Sequence, residues 1–162
     1  MFIRYKYSNS DLRSTFCFNI DNYDDIKYLD CHNNKLINLP MLPNNLIKLY
    51  CEWNNLINLS ILPNSLIILF CELNYLINLP ILSNSLNILS CYNNKLNNLP
   101  ILPNNLINLY CDNNKFNYLP KINKHIKICY DVYKIKFIDE YNLNVKYIKI
   151  NIYIYNYNYI KF

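Results

Sequence analysis

The sequence predicts a β-rich solenoid, with short parallel strands along its concave face and extended segments returning along its convex face. Three observations predict it: a repeat of 20 residues, a proline in the second half of every repeat, and alternation of Leu and Cys with outward-facing neighbours. A 20-residue unit is too short for a strand, two turns and a full helix, and proline removes a backbone donor and fixes φ. We therefore expect an extended or 3₁₀-like return with little α-helix.

The repeat emerges when the chain is aligned against itself at a shift of 20 residues. Leu49 and Cys51 stand two residues apart, so both are predicted to face the core from one strand. Asn54 follows at a turn, where an inward amide can satisfy backbone groups of its own and the next coil. The columns are Leu29, Leu49, Leu69, Leu89 and Leu109; Cys31, Cys51, Cys71, Cys91 and Cys111; and Asn34, Asn54, Asn74, Asn94 and Asn114.

Two short patterns carry a family resemblance. Residues 46–56 have the form L-x-x-L-x-C-x-x-N-x-L, and residues 99–103 read L-P-x-L-P. In these patterns the chain resembles the leucine-rich repeat family, in the short class found in bacterial effectors. The resemblance covers residues 26–125 as five repeats and implies a right-handed solenoid of the β/α superhelix class that binds proteins. We expect residues 1–25 to form an N-terminal cap, and residues 126–162 to hold a decaying repeat, a C-terminal cap or a basic Ile/Tyr-rich tail.

Composition excludes several classes of function. The 162 residues are 52% hydrophobic and 17% charged, enough to bury the core of about one domain. Because the chain has no glycine, it cannot form the glycine-rich phosphate-binding loops or the nucleophile elbow of familiar enzymes. The abundance of Asn, Ile, Leu and Tyr resembles that of a very A/T-rich genome, such as a large amoeba virus.

The positive charge lies near the C-terminus. Residues 1–120 carry eight basic and eight acidic side chains, whereas residues 121–162 carry eight lysines and three acids. A basic tail can attract nucleic acid, which makes nucleic-acid binding the alternative function. Residues 148–160 alternate with period 2 and read as a strand, which can cap the solenoid or drive self-association.

Neither the start of the chain nor its middle predicts a membrane or secreted protein. The first residues lack the apolar stretch of a secretory signal, so an intracellular location is expected, the host cytoplasm if the protein is viral. The uncharged stretch 53–71 contains Asn and Pro and recurs as a repeat, which favours solenoid core over a transmembrane segment.

No catalytic, cofactor or metal site is predicted. The cysteine column would place thiols about 4.8 Å apart, farther than the disulfide Cβ separation of about 3.8 Å, so we expect buried free thiols. Cys31 and His32 point to opposite faces of a strand and cannot form a dyad, while Asp30 and His32 can pair by a hydrogen bond. Cys17 and Cys129 lie outside the column and have no predicted role. The chain is therefore predicted not to be an enzyme.

The outward face of the strands is the predicted binding surface for a partner protein. This partner is expected to be a host or cellular protein. Its apolar anchors are expected to be Tyr50, Trp53, Phe70 and Tyr92, because aromatic side chains dominate interfaces. An acidic column of Glu52, Glu72 and Asp112 is expected to select a basic partner. The alternative for its first two members is that neighbouring carboxylates share a proton or a cation. The full predicted set is Lys48, Tyr50, Glu52, Trp53, Ile68, Phe70, Glu72, Leu73, Ile88, Tyr92, Tyr110 and Asp112.

Overall fold

A computed structural model describes residues 3–7, 13–15, 23–116 and 119–129, whose strands form one eight-stranded sheet. The order in the sheet is β2-β1-β3-β4-β5-β6-β7-β8. A 3₁₀ turn, Tyr23–Asp25, precedes β3, and no α-helix occurs in the described part of the chain. The strands are β1 Ile3–Tyr7, β2 Arg13–Thr15, β3 Ile26–Asp30, β4 Lys48–Tyr50, β5 Ile68–Phe70, β6 Ile88–Ser90, β7 Asn108–Tyr110 and β8 Lys127–Cys129.

The strands from β3 to β8 are parallel, and the first five of them keep the 20-residue register. Leu49 lies opposite Leu29 on one side and Leu69 on the other, and all three are fully buried. The cysteines that follow these strands are buried as well. Each strand turns its central Leu and the following Cys into one continuous core, as the alternation predicted.

The last coil departs from the 20-residue register by one residue. Ile128 pairs with Leu109 at an offset of 19 residues and packs partly buried against the core, and Cys129 lies opposite Tyr110. A shift of one residue exchanges the two faces of a strand. The shift therefore places Ile128 at the inward position, where the 20-residue spacing would have placed the smaller Cys129. Within the described residues, the strand of this decaying repeat spans Lys127–Cys129.

The returning limbs are extended between two tight turns. In the second coil the backbone amide of Leu66 donates to the carbonyl of Pro63 at 3.1 Å, and the same turn recurs at Leu46, Leu86 and Leu106. Leu56, Leu62 and Leu66 reach the core from the two turns and the back of the coil. The extended return was predicted from the prolines, and it is confirmed in the described coils.

An antiparallel hairpin extends the sheet beyond the first coil. Strand β1 pairs with both β2 and β3 in antiparallel fashion, with a register irregularity between Lys6 and Tyr7. The backbone groups at the edge of β3 are therefore hydrogen-bonded to β1. A terminal coil requires such pairing, because its edge strand would otherwise expose unpaired amides and carbonyls. The predicted strand at 148–160, the basic tail and Cys17 lie outside the described residues.

Candidate functional site

A ladder of buried asparagines fixes the turn that leads away from each strand. Asn74 Nδ2 donates to the carbonyls of Cys51 at 3.0 Å and Cys71 at 3.2 Å, and its Oδ1 accepts from the amide of Leu56 at 2.9 Å. One amide group therefore serves two coils, as predicted. The same bonds recur around Asn54 and Asn94. The ladder aligns the ends of the parallel strands and so fixes the positions of the residues on the concave face beside it.

The cysteine column belongs to the core. The five cysteines of the column, one in each repeat, are buried thiols that form no disulfide. Burial raises the pKa of the Cys31 thiol to about 12 and that of Cys71 well above its ordinary value. The Cys71 thiol donates to the carbonyl of Ser90 at 3.3 Å. These thiols are protonated and inaccessible, which removes them as nucleophiles.

Asp30 and His32 form the pair that the sequence predicted. His32 Nδ1 lies 2.5 Å from Asp30 Oδ1, and the His32 amide donates to the same oxygen at 3.2 Å. Asp30 is buried, however, and not on an exposed face as expected. Its carboxylate closes the first turn by these two contacts, a structural role in the first coil.

A row of aromatic rings runs across the first three parallel strands. The ring centroids of Tyr28 and Tyr50 are 5.2 Å apart, and those of Tyr50 and Phe70 are 5.1 Å apart in a T-shaped arrangement. All three side chains are half-buried. Such edge-to-face contacts hold rings in fixed positions at low entropic cost on binding. Tyr28 extends the predicted patch by one coil. The sequence could have indicated this, because Tyr28 lies two residues before Asp30 and so faces the same side of its strand.

Two large apolar residues occupy left-handed backbone positions at the rim of this face. The residue after each acidic-column position has positive φ in all five coils, and in three of them it is Asn, which tolerates that conformation. In the middle coils the same place holds Trp53, with φ of 56°, and Leu73, with φ of 54°. Trp53 exposes 54% of its surface. A bulky side chain is sterically strained in this left-handed conformation, whereas Asn adopts it with less strain.

The acidic column differs in depth from the prediction. Glu72 is only 6% exposed, so it is not the exposed selector that the sequence predicted. Its carboxylate accepts a hydrogen bond from the Ser90 side chain, Oε2 has no hydrogen-bond partner in the structure, and burial raises its pKa to about 7. Glu52 and Asp112 are half-buried. Ser90 and the neighbouring strands cover Glu72 to a depth that a column alignment does not reveal.

The remaining predicted contact residues lie on the same face. Strand register places Lys48, Ile68 and Ile88 in one row, and Tyr110 continues the row of Phe70 two coils further on. Lys48 is exposed; the others are half-buried, as are Leu73 and Tyr92. The sheet therefore brings the strand members of the predicted set onto one face, namely Lys48, Tyr50, Ile68, Phe70, Ile88 and Tyr110. Its role in binding stays a prediction.

Two features are absent from the described residues, a metal-binding cluster and a membrane-spanning helix. No group of three or more His, Cys, Asp or Glu side chains that could hold a metal ion occurs within these ranges. No helix found there is both long enough and apolar enough to cross a membrane.

Solved structures of two bacterial effectors are similar to this chain. One is YopM, a leucine-rich effector protein from Yersinia pestis, with 34% identity, 63% of this chain covered and a TM-score of 0.60. The other is the leucine-rich repeat domain of a Shigella effector, with 33% identity, the same coverage of this chain and a TM-score of 0.62. This chain spans 30% of the first and 47% of the second.

No protein-family model matches the sequence, and no curated protein matches it. The structural matches agree with the geometry of the coils, in which each repeat contributes one short parallel strand and an extended return. The parallel strands in 20-residue register, the asparagine turns and the two effector structures together identify the fold as a leucine-rich repeat solenoid.

Proposed function

We propose that this protein is a non-catalytic interaction module that holds a partner protein on the concave face of its sheet. The observation that carries the proposal is the pair Trp53 and Leu73. Both take a backbone conformation that three other coils assign to Asn, and Trp53 remains more than half exposed. Strain kept at neighbouring surface positions, with no gain in burial for Trp53, is typical of a binding function.

The aromatic row supports the same face. Tyr50 and Phe70 contact each other, and each stands three residues before a rim residue of its own coil, Trp53 or Leu73. Tyr and Trp are the side chains that most often carry binding energy, especially where they cluster near the centre of an interface. Lys48, Ile68, Ile88, Tyr92 and Tyr110 extend the surface, and Glu52 and Asp112 supply negative charge at its edge.

The partner is proposed to be a cellular or host protein, met inside the cell. The two similar structures are effector proteins with leucine-rich repeats, and this class of fold generally presents an interaction surface. Half-buried Glu52 and Asp112 favour a partner that presents basic side chains between apolar ones.

The test is affinity capture from host-cell lysate with three versions of the full chain. The binding variant is Trp53→Asn/Leu73→Asn, which introduces the residue that other coils carry at the same backbone position and so preserves the fold. The control is Ile61→Asn/Ile81→Asn, which removes similar apolar surface from the convex side, where both residues are 89% exposed.

A partner retained by the wild type and the control but lost with the binding variant supports the proposal. Capture of the same proteins by all three versions contradicts it. Captured nucleic acid that dissociates with added salt would instead favour the basic C-terminal segment.

A further inference from the structure

The convex side carries a row of apolar side chains that the concave binding face does not use. Met41, Ile61, Ile81 and Ile101 occupy the same place in four successive coils and are 84%, 89%, 89% and 92% exposed. We call these four side chains the isoleucine row. Four large apolar residues, nearly fully exposed and aligned, form a continuous patch of the kind that marks an interface in soluble proteins.

The coils remain closely stacked where the row lies. The amide of Ile77 donates to the carbonyl of Ile57 at 3.3 Å, and the Ser83 hydroxyl donates to the carbonyl of Asn64 at 2.7 Å. These bonds join successive returning limbs on both sides of the row. The row therefore repeats once in each coil, in step with the solenoid.

The returning limbs that carry the row are uncharged, and charged groups lie at its two ends, where Asp24 accepts from the amide of Asn44 at 3.1 Å and Lys121 follows Ile101 in the next coil. The four returning limbs, residues 36–47, 56–67, 76–87 and 96–107, contain no Asp, Glu, Lys, Arg or His. Asn replaces them, including the exposed Asn58. An amide group both donates and accepts hydrogen bonds, so it can pair with its own copy, whereas a charged group would repel its copy.

We infer that the isoleucine row is a self-association surface, and that its occupant is the same row of a second copy of this chain. An identical solenoid has the same spacing between side chains, so two rows can interdigitate along their full length about a twofold axis. Because the four returning limbs carry no charged residue, no like-charge repulsion arises along the length of the paired rows. Lys121 takes the equivalent place in the fifth coil and ends the row, which limits the contact to four coils.

This inference concerns a different surface from the proposed partner-binding face. The concave strands and the returning limbs lie on opposite sides of the core, so a dimer through the convex side leaves both concave faces open. The failure of either proposal would leave the other intact.

The test is the mass of the full chain in solution, measured by sedimentation equilibrium between about 1 and about 100 µM. We expect the wild type to reach twice its 19.6 kDa mass. The variant Ile61→Lys/Ile81→Lys should remain a monomer, with a dissociation constant raised by at least about 100-fold. Lys121 shows that the fold accepts lysine at this place. The control Trp53→Asn/Leu73→Asn should dimerise like the wild type.

A charge-swapped pair tests the twofold contact itself. Ile61→Glu/Ile81→Glu should also be monomeric, and mixing it with the lysine variant should restore a mass of two chains, because unlike charges then meet across the axis. A monomeric wild type overturns the inference and points to another occupant of the row. A lysine variant that still dimerises overturns it equally, as does a mixture that stays monomeric.

Discussion

The asparagine ladder and the concave face lie side by side in every coil, yet they differ in how strictly the sequence repeats. Every ladder position is Asn, whereas the neighbouring rim position holds Asn, Trp or Leu. Each ladder amide bonds to backbone atoms of two coils, and those atoms are the same in every repeat. The partners of the rim side chains are not the same in every coil: Asn113 Nδ2 donates to Asn93 Oδ1, whereas Trp53 and Leu73 have no amide to do so. Repetition therefore marks the residues that build the solenoid, and variation marks those free to recognise something else.

The largest effect is expected within the ladder. Replacing Asn74 with Leu keeps the branched side-chain skeleton but leaves the buried amide of Leu56 without its acceptor. The carbonyls of Cys51 and Cys71 each lose one of two donors, since Asn54 and Asn94 still bond to them. An unsatisfied buried amide costs about 1–3 kcal/mol and each lost hydrogen bond about 0.5–1.5 kcal/mol, so we expect the free energy of unfolding to fall by about 4 kcal/mol. Urea unfolding measures it.

The matched control is Asn78→Leu, an exposed asparagine of the same coil. Its free energy of unfolding should stay within about 0.5 kcal/mol of the wild type. Equal losses in both variants would contradict the distinction between ladder and surface asparagines.

Glu72 is a residue of the concave side whose burial is expected to lower the stability of the folded protein at neutral pH. Its pKa in the folded protein is about 7, raised by burial from 4.5. Between these two values the folded state holds a proton that the unfolded state has lost, so stability falls as pH rises and is greatest below pH 4.5 for this group. The loss across that window is of the order of 3 kcal/mol.

The measurement is the free energy of unfolding from pH 4.5 to 7.5, compared with Glu72→Gln. Glutamine has no proton to lose, so its stability should vary less over this range. Parallel curves for the two proteins would show that Glu72 titrates at its ordinary pKa and is better hydrated than its burial indicates.

The period and the residue types carry most of the fold. Leu49, Cys51 and Asn54 could be placed because strand alternation and a turn amide act within a single coil. The depth of Glu72 could not, because it depends on how Ser90 and the adjacent strand cover it. The shift at Ile128 was also hidden by the 20-residue alignment. For the candidate site, strand alternation was enough to place Tyr50, Phe70 and Tyr110 on one face of the sheet. The positive φ of Trp53 is a property of the backbone, indicated in the sequence only by Asn in the other coils.

The left-handed backbone conformation of Trp53 and Leu73 is expected to lower the free energy of unfolding. Trp53→Asn/Leu73→Asn relieves two bulky residues of left-handed conformations, and we expect the free energy of unfolding to rise by about 1 kcal/mol. Thermal and urea unfolding measure this gain, while partner capture should fail. A loss of stability would mean that the two side chains contribute packing in the free protein, which would weaken the argument that they serve binding.

The smallest effect concerns the Tyr50–Phe70 contact, the part of the concave face that resembles core packing. A double-mutant cycle with Tyr50→Ala and Phe70→Ala should give a coupling of about 0.5–1.5 kcal/mol, because the rings meet edge to face. The control cycle pairs Tyr50 with Tyr110, three strands away, and should give no coupling beyond error. A coupling far above this range would assign the rings to the stability of the solenoid. A modest one leaves them fixed in position yet available to a partner, which is the arrangement that a binding face requires.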